Sequence, residues 1–257
     1  MTGFLVPAGY VALRAPGIEG AALATLEAPL REALADGTFY GFAEHHAEAR
    51  SFEGRGLAYA VPLASGVRVV VRRSRHGGLL GGLRDDKFLG GTRAPHELEL
   101  SIRLRRLGVA TPEIVAYATY PAGAMFRRAD VVTREVPRSR DLAAALGALA
   151  RSDSKHSLIA ATGKLLASLS IAGARHPDLN IKNILIADNN YGGVEAYALD
   201  VDRVWFDTPG KQSILEANLR RLSRSAVKWR RMQGLPIEEV DLLAIESSAL
   251  ELIELTR

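Results

Sequence analysis

The sequence predicts an α+β fold in two lobes: an N-terminal antiparallel β-sheet lobe with one key helix, then a mostly helical C-terminal lobe. Three observations predict it. Runs of β-type residues, at 57–61, 67–71, 113–120 and 129–133, all fall in the first half of the chain and are bounded by turn residues. One helical pattern interrupts them, opening at Thr92 or Pro95 and running to about Leu107. Beyond Pro137 the chain is rich in Ala and Leu at helical spacing. The expected division is an N-terminal extension and β-rich lobe over 1–135 and a helical lobe over 136–257, together one domain, and 257 residues suffice to bury its core.

Composition narrows the class. Apolar residues at 47% and charged residues at 24% are ordinary for a soluble globular protein. There is no cysteine, which excludes disulfides and thiol catalysis and suits a reducing compartment. The stretch from Met1 to Pro7 has no basic n-region, so a secretory signal is not expected, and no apolar run approaches the length of a bilayer-spanning helix. A cytosolic protein is the expectation. The net charge is +4 and uneven. Arg220, Arg221, Arg224, Lys228, Arg230 and Arg231 follow one another without an acid, and a second group comprises Arg72, Arg73, Arg75, Arg84 and Lys87. Such patches suit an anionic partner, although charge alone describes a solvated face equally well.

In order along the chain, Ala21 to Ala35 reads as one amphipathic helix, with Leu23, Leu26, Leu30 and Leu34 on its core side. Gly54-Arg55-Gly56 precedes the first β run; two glycines let a backbone approach phosphates closely, and they equally mark a plain turn. Ala64-Ser65-Gly66 joins the first two β runs as a hairpin. The second run ends on Arg72, and alternation puts Val70 and Arg72 on one face and Arg73 on the other. Gly77-Gly78-Leu79-Leu80-Gly81-Gly82 and Gly90-Gly91 argue for an irregular loop over 77–91, either a lid over substrate or a flexible connection. In the helix that follows, Leu98, Ile102 and Leu107 share a face, with Glu97 and Glu99 near its start. Gly108 to Pro112 stops it, and Arg134-Glu135-Val136-Pro137 is the expected hinge between the lobes.

The second lobe opens with helices expected at Asp141–Ala150 and at 154–172, the latter with Leu158, Leu165, Leu166 and Leu169 facing the core. This helix delivers the segment His176-Pro177-Asp178-Leu179-Asn180-Ile181-Lys182-Asn183-Ile184-Leu185. A hairpin follows, from Ile184 through a turn at Asp188-Asn189-Asn190 to Val194–Leu199, and ends on Asp200. In the C-terminal helices, Leu215, Leu219, Leu222, Ala226 and Trp229 form one packing stripe, which leaves the basic residues on the other faces. That cationic side suits anionic lipid, with Trp229 near the interface.

Asp178, Asn183 and Asp200, all at strand ends, have the layout of a kinase-like catalytic loop followed by a metal-binding Asp. Phosphoryl transfer asks little covalent chemistry of a protein: a placed hydroxyl, one or two magnesium ions and charge stabilisation. The upstream elements then acquire roles within a bilobal protein-kinase-like fold. Arg72 occupies the third-strand position where a cation grips phosphates and pairs with a helix Glu, here Glu97; a first-turn Glu facing water is the alternative. Arg in place of the usual Lys presents a planar fork instead of a compact ammonium. Gly54, Arg55 and Gly56 would cover the phosphates, and backbone groups of Glu135 and Val136 would meet the adenine edge.

These residues carry a resemblance, running from about Gly54 to about Ser225, to the lipopolysaccharide kinase family. The Arg-rich strand end with Gly77-Gly78, and Asn218-Leu219, Arg221-Leu222 and Arg224-Ser225, point more narrowly to its 3-deoxy-D-manno-octulosonic acid (Kdo) kinases. The resemblance implies ATP-dependent phosphorylation of the 4-hydroxyl of Kdo on a Kdo–lipid A precursor, in lipopolysaccharide core biosynthesis, by a peripheral protein at the cytoplasmic face of a bacterial inner membrane. It implies ATP and Mg2+ as cofactors, Asp178 as the catalytic Asp, Asn183 and Asp200 as metal ligands, and Gly54–Gly56, Arg72 and Glu97 around the phosphates. There are departures from the general protein-kinase pattern. Asp200 is followed by Val201-Asp202, His176-Pro177-Asp178 lacks the Arg that reads a phosphorylated activation loop, and Asn180 stands where a loop Lys is common. Asp202 is either a further ligand or a partner of Arg203. Two alternatives stay open, an inner-core heptose kinase and a kinase-like nucleotide-binding module without catalysis. No nucleic-acid partner is expected, since no aromatic stacking platform accompanies the Arg cluster, and the sequence assigns no oligomeric state.

Overall fold

A computed structural model describes residues 6–35, 37–52, 57–74, 86–149, 155–189 and 192–256. The chain clusters into two compact units, Met1–Glu99 with Glu113–Glu135, and Leu100–Pro112 with Val136–Arg257.

The first unit is built on strands β1 (Tyr10–Ala15) and β2 (Ile18–Leu23), helices α1 (Glu27–Glu32) and α2 (Phe39–His45), and strands β3 (Arg50–Phe52), β4 (Ala58–Pro62), β5 (Arg68–Arg73) and β6 (Phe88–Leu89). Helix α3 (Ala94–Arg106) and strands β7 (Ile114–Pro121) and β8 (Phe126–Arg134) complete it, the later turns of α3 clustering with the second unit. Among the described residues these strands form an eight-stranded sheet of order β1-β2-β7-β8-β5-β4-β3, with β6 also paired on β8, and every pairing is antiparallel. The β4–β5 hairpin closes where the Leu63 N–H donates to the Val67 carbonyl at 2.9 Å.

The helix expected over Ala21–Ala35 is instead the end of β2, a 3₁₀ turn at Ala24–Leu26 and the short α1. Leu26 and Leu30 are buried at that spacing, but Ala21 and Ala22 are both fully buried as well. Burial on two successive positions fits a strand covered on both faces. Gly20 explains why the strand can form: it pairs with Ala118 of β7, and a Cβ at that position would lie 2.1 Å from the Tyr117 carbonyl oxygen. Helix α2 packs on β4, β5 and β8, burying Phe39 among Leu13, Val69, Val71, Val115 and Val132. Val69 and Val71 therefore face α2, which leaves Val70 and Arg72 on the opposite face of the sheet. In α3 the buried positions are Ala94, Glu97, Leu98, Leu100, Ser101 and Leu104, whereas Leu107, expected on the core face, is 45% exposed.

The second unit contains β9 (Ser139–Asp141), α4 (Leu142–Gly147), α5 (His156–Ile171), β10 (Ala174–Arg175), β11 (Ile184–Asp188), β12 (Val194–Ala198), β13 (Trp205–Phe206), α6 (Gln212–Gln233) and α7 (Glu239–Glu254). Strands order β12-β11-β9, and β10 pairs with β13. Helix α4 starts where Asp141 Oδ1 accepts the Ala144 N–H at 2.8 Å, so Asp141 is the N-cap and not the first helical residue expected from its position. Helix α5 runs through the middle of the core, packing on α7, α6 and β12. Its closest approach to α7 needs Gly163, where a Cβ would lie 2.7 Å from Ser248 Oγ and 3.0 Å from the Ile245 carbonyl. The stripe read from α6 holds in part: Leu215, Leu222 and Ala226 are buried, and Leu219 and Trp229 pack at the edge of that core. Trp229 also lies under Lys182, whose Nζ is 5.2 Å from the ring centroid.

Candidate active site

In the second unit, β10 leads into the loop 176–183 and β11 leads out of it. The loop is held from inside by its own amides. The Asp178 carbonyl accepts the Asn180 N–H at 2.8 Å, Asn180 Nδ2 at 3.1 Å and Asn183 Nδ2 at 2.8 Å, while Asn180 Oδ1 accepts the Lys182 N–H at 2.9 Å. Asn183 in turn accepts the Leu199 N–H on its carbonyl at 2.9 Å. Thus Asp178 and Asn183 are brought together, and the residue next to Asp200 is tied to the same loop. With Asn183 Nδ2 committed to the Asp178 carbonyl, the amide oxygen Oδ1 is the atom that could face a ligand.

His176 secures the second tie. It is 1% exposed, its Nδ1 accepts the Asp178 N–H at 3.3 Å and its Nε2 lies 2.8 Å from the Leu199 carbonyl. An accepting Nδ1 leaves the proton on Nε2, so the ring is neutral and donates to Leu199. Burial lowers the His176 pKa, against the opposing pull of the Leu199 carbonyl and of the carboxylates of Asp200, Asp178 and Asp202. Asp200 itself adopts a left-handed conformation, φ 53° and ψ 52°, and starts a 3₁₀ turn over Val201–Arg203. Asp and Asn tolerate that region better than most residues.

Helix α6 holds the loop from outside, with three side chains that the sequence reading did not separate as site residues. Asn218 Oδ1 accepts the His176 N–H at 2.9 Å and Nδ2 donates to the Ala174 carbonyl at 3.0 Å. Ser225 Oγ accepts the Ile181 N–H at 3.3 Å. Arg221 donates from Nε to the Pro177 carbonyl at 3.2 Å and from Nη2 to Asp178 Oδ1 at 2.5 Å. The signal was present in the sequence: Asn218, Arg221 and Ser225 fall on one helical face beside the apolar stripe of Leu215, Leu222 and Ala226. Lys182, the other loop cation, turns to Asp141 Oδ2 at 2.9 Å. Asp202 and Arg203 occupy the 3₁₀ turn after Asp200.

The donors available for a metal suit magnesium completed by phosphate. Among the described residues no group of three or more His, Cys, Asp or Glu side chains could hold an ion by itself. Mg2+ is typically bound by one or two carboxylates plus substrate phosphates and water, and a carboxylate at Asp200 with an amide oxygen at Asn183 fits that habit.

In the first unit, Arg72 Nη2 forms an ion pair with Glu97 Oε1. Glu97 is 3% exposed, so the water-facing alternative fails; the side chain lies on the buried stripe of α3. Arg73 goes to the other face, with its guanidinium carbon 3.9 Å from the Tyr40 ring centroid. Alternation had predicted this separation. Glu135 is engaged through its side chain, which pairs with Arg50 and accepts from Arg68 Nε at 2.7 Å, and its N–H donates to the Arg68 carbonyl at 3.0 Å. What Glu135 retains for a base edge is its carbonyl. In the second unit, the Val136 carbonyl accepts from Ser139 Oγ at 2.7 Å, which leaves its N–H. Gly54, Arg55 and Gly56, and the glycines at 77–82, lie outside the described residues.

Comparison with known proteins agrees with this chemistry. Residues 43–243 match the profile of the lipopolysaccharide kinase (Kdo/WaaP) family. A 3-deoxy-D-manno-octulosonic acid kinase of Vibrio parahaemolyticus is 31% identical over 69% of this chain and 72% of the relative. The enzyme of that name from Vibrio cholerae is 33% identical over 69% and 73%. A solved structure of WaaP in complex with acyl carrier protein superposes with a TM-score of 0.56 at 19% identity, covering 90% of each chain, and so shows the kinase-like α+β fold. The chain is a member of the lipopolysaccharide kinase (Kdo/WaaP) family, whose activity is phosphoryl transfer to a hydroxyl group.

Proposed function

We propose that this protein transfers the terminal phosphoryl group of ATP to the 4-hydroxyl of a Kdo sugar on a Kdo–lipid A precursor, in lipopolysaccharide core biosynthesis. The observation that carries the reading is the loop 176–183. It binds Asp178 and Asn183 to each other, and through Leu199 to the strand end bearing Asp200, in a chain whose relatives are Kdo kinases.

In this reading Asp178 orients the sugar hydroxyl and accepts its proton, from a carboxylate held by Asn180 and Arg221. Asn183 and Asp200 would hold magnesium, which when bound neutralises charge on the phosphate oxygens. Arg72, steadied by Glu97, supplies a cation to the phosphates. Gly54, Arg55 and Gly56 would lie over them, and the Glu135 carbonyl and Val136 N–H would read the adenine edge. Among the described residues no helix is long and apolar enough to cross a membrane. A lipid-borne acceptor is then reached from the surface, at the cytoplasmic face of an inner membrane, through the exposed cations Arg220, Arg224, Lys228 and Arg231 of α6. Trp229, half-buried, packs at the edge of the core and under Lys182.

The test is ATP consumption by the purified chain with a Kdo–lipid A precursor, set beside a heptosylated acceptor. Turnover with the first is expected; turnover confined to the second would overturn the Kdo assignment.

A further inference from the structure

We infer that Arg221 has two tasks: it positions the Asp178 carboxylate, and it receives the carboxylate of a sugar-acid acceptor, so that it decides between an acidic and a neutral sugar. This rests on the reading of Asp178 as the group that meets the acceptor hydroxyl, and extends it to acceptor choice.

Position is the first argument. The guanidinium is anchored at two points, Nε on the Pro177 carbonyl at 3.2 Å and Nη2 on Asp178 Oδ1 at 2.5 Å. Among the described residues Nη1 has no hydrogen-bond partner, and the side chain is 27% exposed beside an Asp178 that is 20% exposed. A fork held on one side and open on the other, in contact with the proposed catalytic carboxylate, lies where the acceptor's reacting hydroxyl must come.

The second argument is that orientation alone does not call for a cation. Asn180 Nδ2 already reaches Asp178 Oδ1 at 3.2 Å, and Asn183 Nδ2 holds the Asp178 main chain at 2.8 Å. What a cation adds, and an amide does not, is attraction for a second anion. Kdo is a sugar acid; its carboxylate brought close to Asp178 would meet like-charge repulsion. A guanidinium pairing with Asp178 on one edge and with the acceptor on another removes that repulsion and imposes a planar geometry on the incoming group. The neighbouring cations are turned elsewhere, Lys182 to Asp141 and Arg175 to Ser213.

The experiment compares the full chain with Arg221→Gln and Arg221→Lys on two acceptors, the Kdo–lipid A precursor and the same molecule with its Kdo carboxylate converted to the methyl ester. Esterification is expected to cost the unaltered chain roughly 10- to 100-fold in kcat/KM, mostly in KM, as loss of a charge-assisted hydrogen-bonded pair does. Arg221→Gln should be slower on the acid and nearly indifferent to esterification, while Arg221→Lys should recover part of the discrimination. An esterification penalty of the same size in the unaltered chain and in Arg221→Gln overturns the inference, even if kcat falls, and reduces Arg221 to a positioning residue. If Arg221→Gln does not fold, as judged by its melting and ATP binding, the Lys variant decides: undiminished discrimination overturns the inference. Absence of turnover by the unaltered chain on either Kdo acceptor overturns the functional reading itself, a result distinct from equal penalties.

Discussion

Arg72 and Glu97 form an ion pair whose two members are not equally replaceable. Glu97 is 3% exposed, whereas the Arg72 side chain is 28% exposed and reaches solvent. Removing the guanidinium takes the ion-pair partner from a buried carboxylate; neutralising the carboxylate leaves a cation that water can solvate. Arg72→Met is therefore expected to destabilise the fold by about 3 kcal/mol, and Glu97→Gln by clearly less, measured as shifts in denaturant midpoint. Equal losses would show that the pair is not the controlling interaction. Asp178 poses the complementary question, because its carboxylate is proposed to act only in the reacting complex. Asp178→Asn should lower kcat by roughly 10²- to 10⁴-fold, the usual contribution of a positioned base, with nucleotide affinity little changed. Near-native turnover would remove Asp178 from the catalytic role. Asp200→Asn should in addition weaken nucleotide binding in the presence of magnesium.

Helix α6 acts as an element because its polar stripe and its apolar stripe do different work. Leu215, Leu222 and Ala226 anchor it in the core, and Asn218, Arg221 and Ser225 grip the loop that carries Asp178. Asn218 is 1% exposed and serves one donor and one acceptor of the loop main chain. Asn218→Ala leaves both the His176 N–H and the Ala174 carbonyl unsatisfied, at roughly 1–3 kcal/mol for each group left so. Lower thermal stability together with a lower kcat is the expected outcome; a stable variant of native kcat would show that α6 does not set the loop. The exposed cations of the same helix belong to its opposite side. Replacing Arg220, Arg224, Lys228 and Arg231 by Gln should abolish co-sedimentation with anionic liposomes and leave turnover on a detergent-solubilised acceptor unchanged. Retained co-sedimentation would discard the proposed membrane contact.

The stability of the whole molecule should depend on pH through Asp130. This residue is 3% exposed, accepts the Tyr40 N–H at 2.9 Å and lies against Tyr120, with Arg73 and Arg128 as the nearby cations. Burial pushes its pKa up to about 6, despite the opposing effects of the Tyr40 N–H, the Tyr120 hydroxyl and the two arginines. A carboxyl whose folded pKa lies above its unfolded value binds its proton more tightly in the native state. Its contribution is therefore greatest in acid and is lost as pH rises through about 6. Between about pH 5 and about pH 7.5 the loss is roughly 1–2 kcal/mol. Asp130→Asn should remove that component, so the stability difference between variant and unaltered chain is expected to move in favour of Asn as pH rises. A difference independent of pH would contradict the buried-acid assignment.

The sequence by itself determined the chemistry and the class of fold. Asp178 and Asn183 sit in one contiguous loop, and a strand ending on Asp200 follows in the next hairpin, so their residue types, order and flanking apolar runs were all readable locally. The β4–β5 hairpin, α5 and the β11–β12 hairpin were legible for the same reason, since their periods are set by neighbours a few residues away. Tertiary structure decided the rest. Helical spacing of leucines at 23–34 concealed a strand, because the ladder that makes β2 a strand is formed with β7, a neighbour far along the chain. Alternation separates Arg72 from Arg73, but their partners came from the fold, which placed Glu97 of α3 on one side of β5 and Tyr40 of α2 on the other. For Arg221 the sequence offers a place in a basic patch and in the resemblance, and only the fold of α6 lays it on Asp178, 43 positions earlier in the chain. A contact of that separation is specified by the closure of the intervening chain on a shared core, and no local period records it.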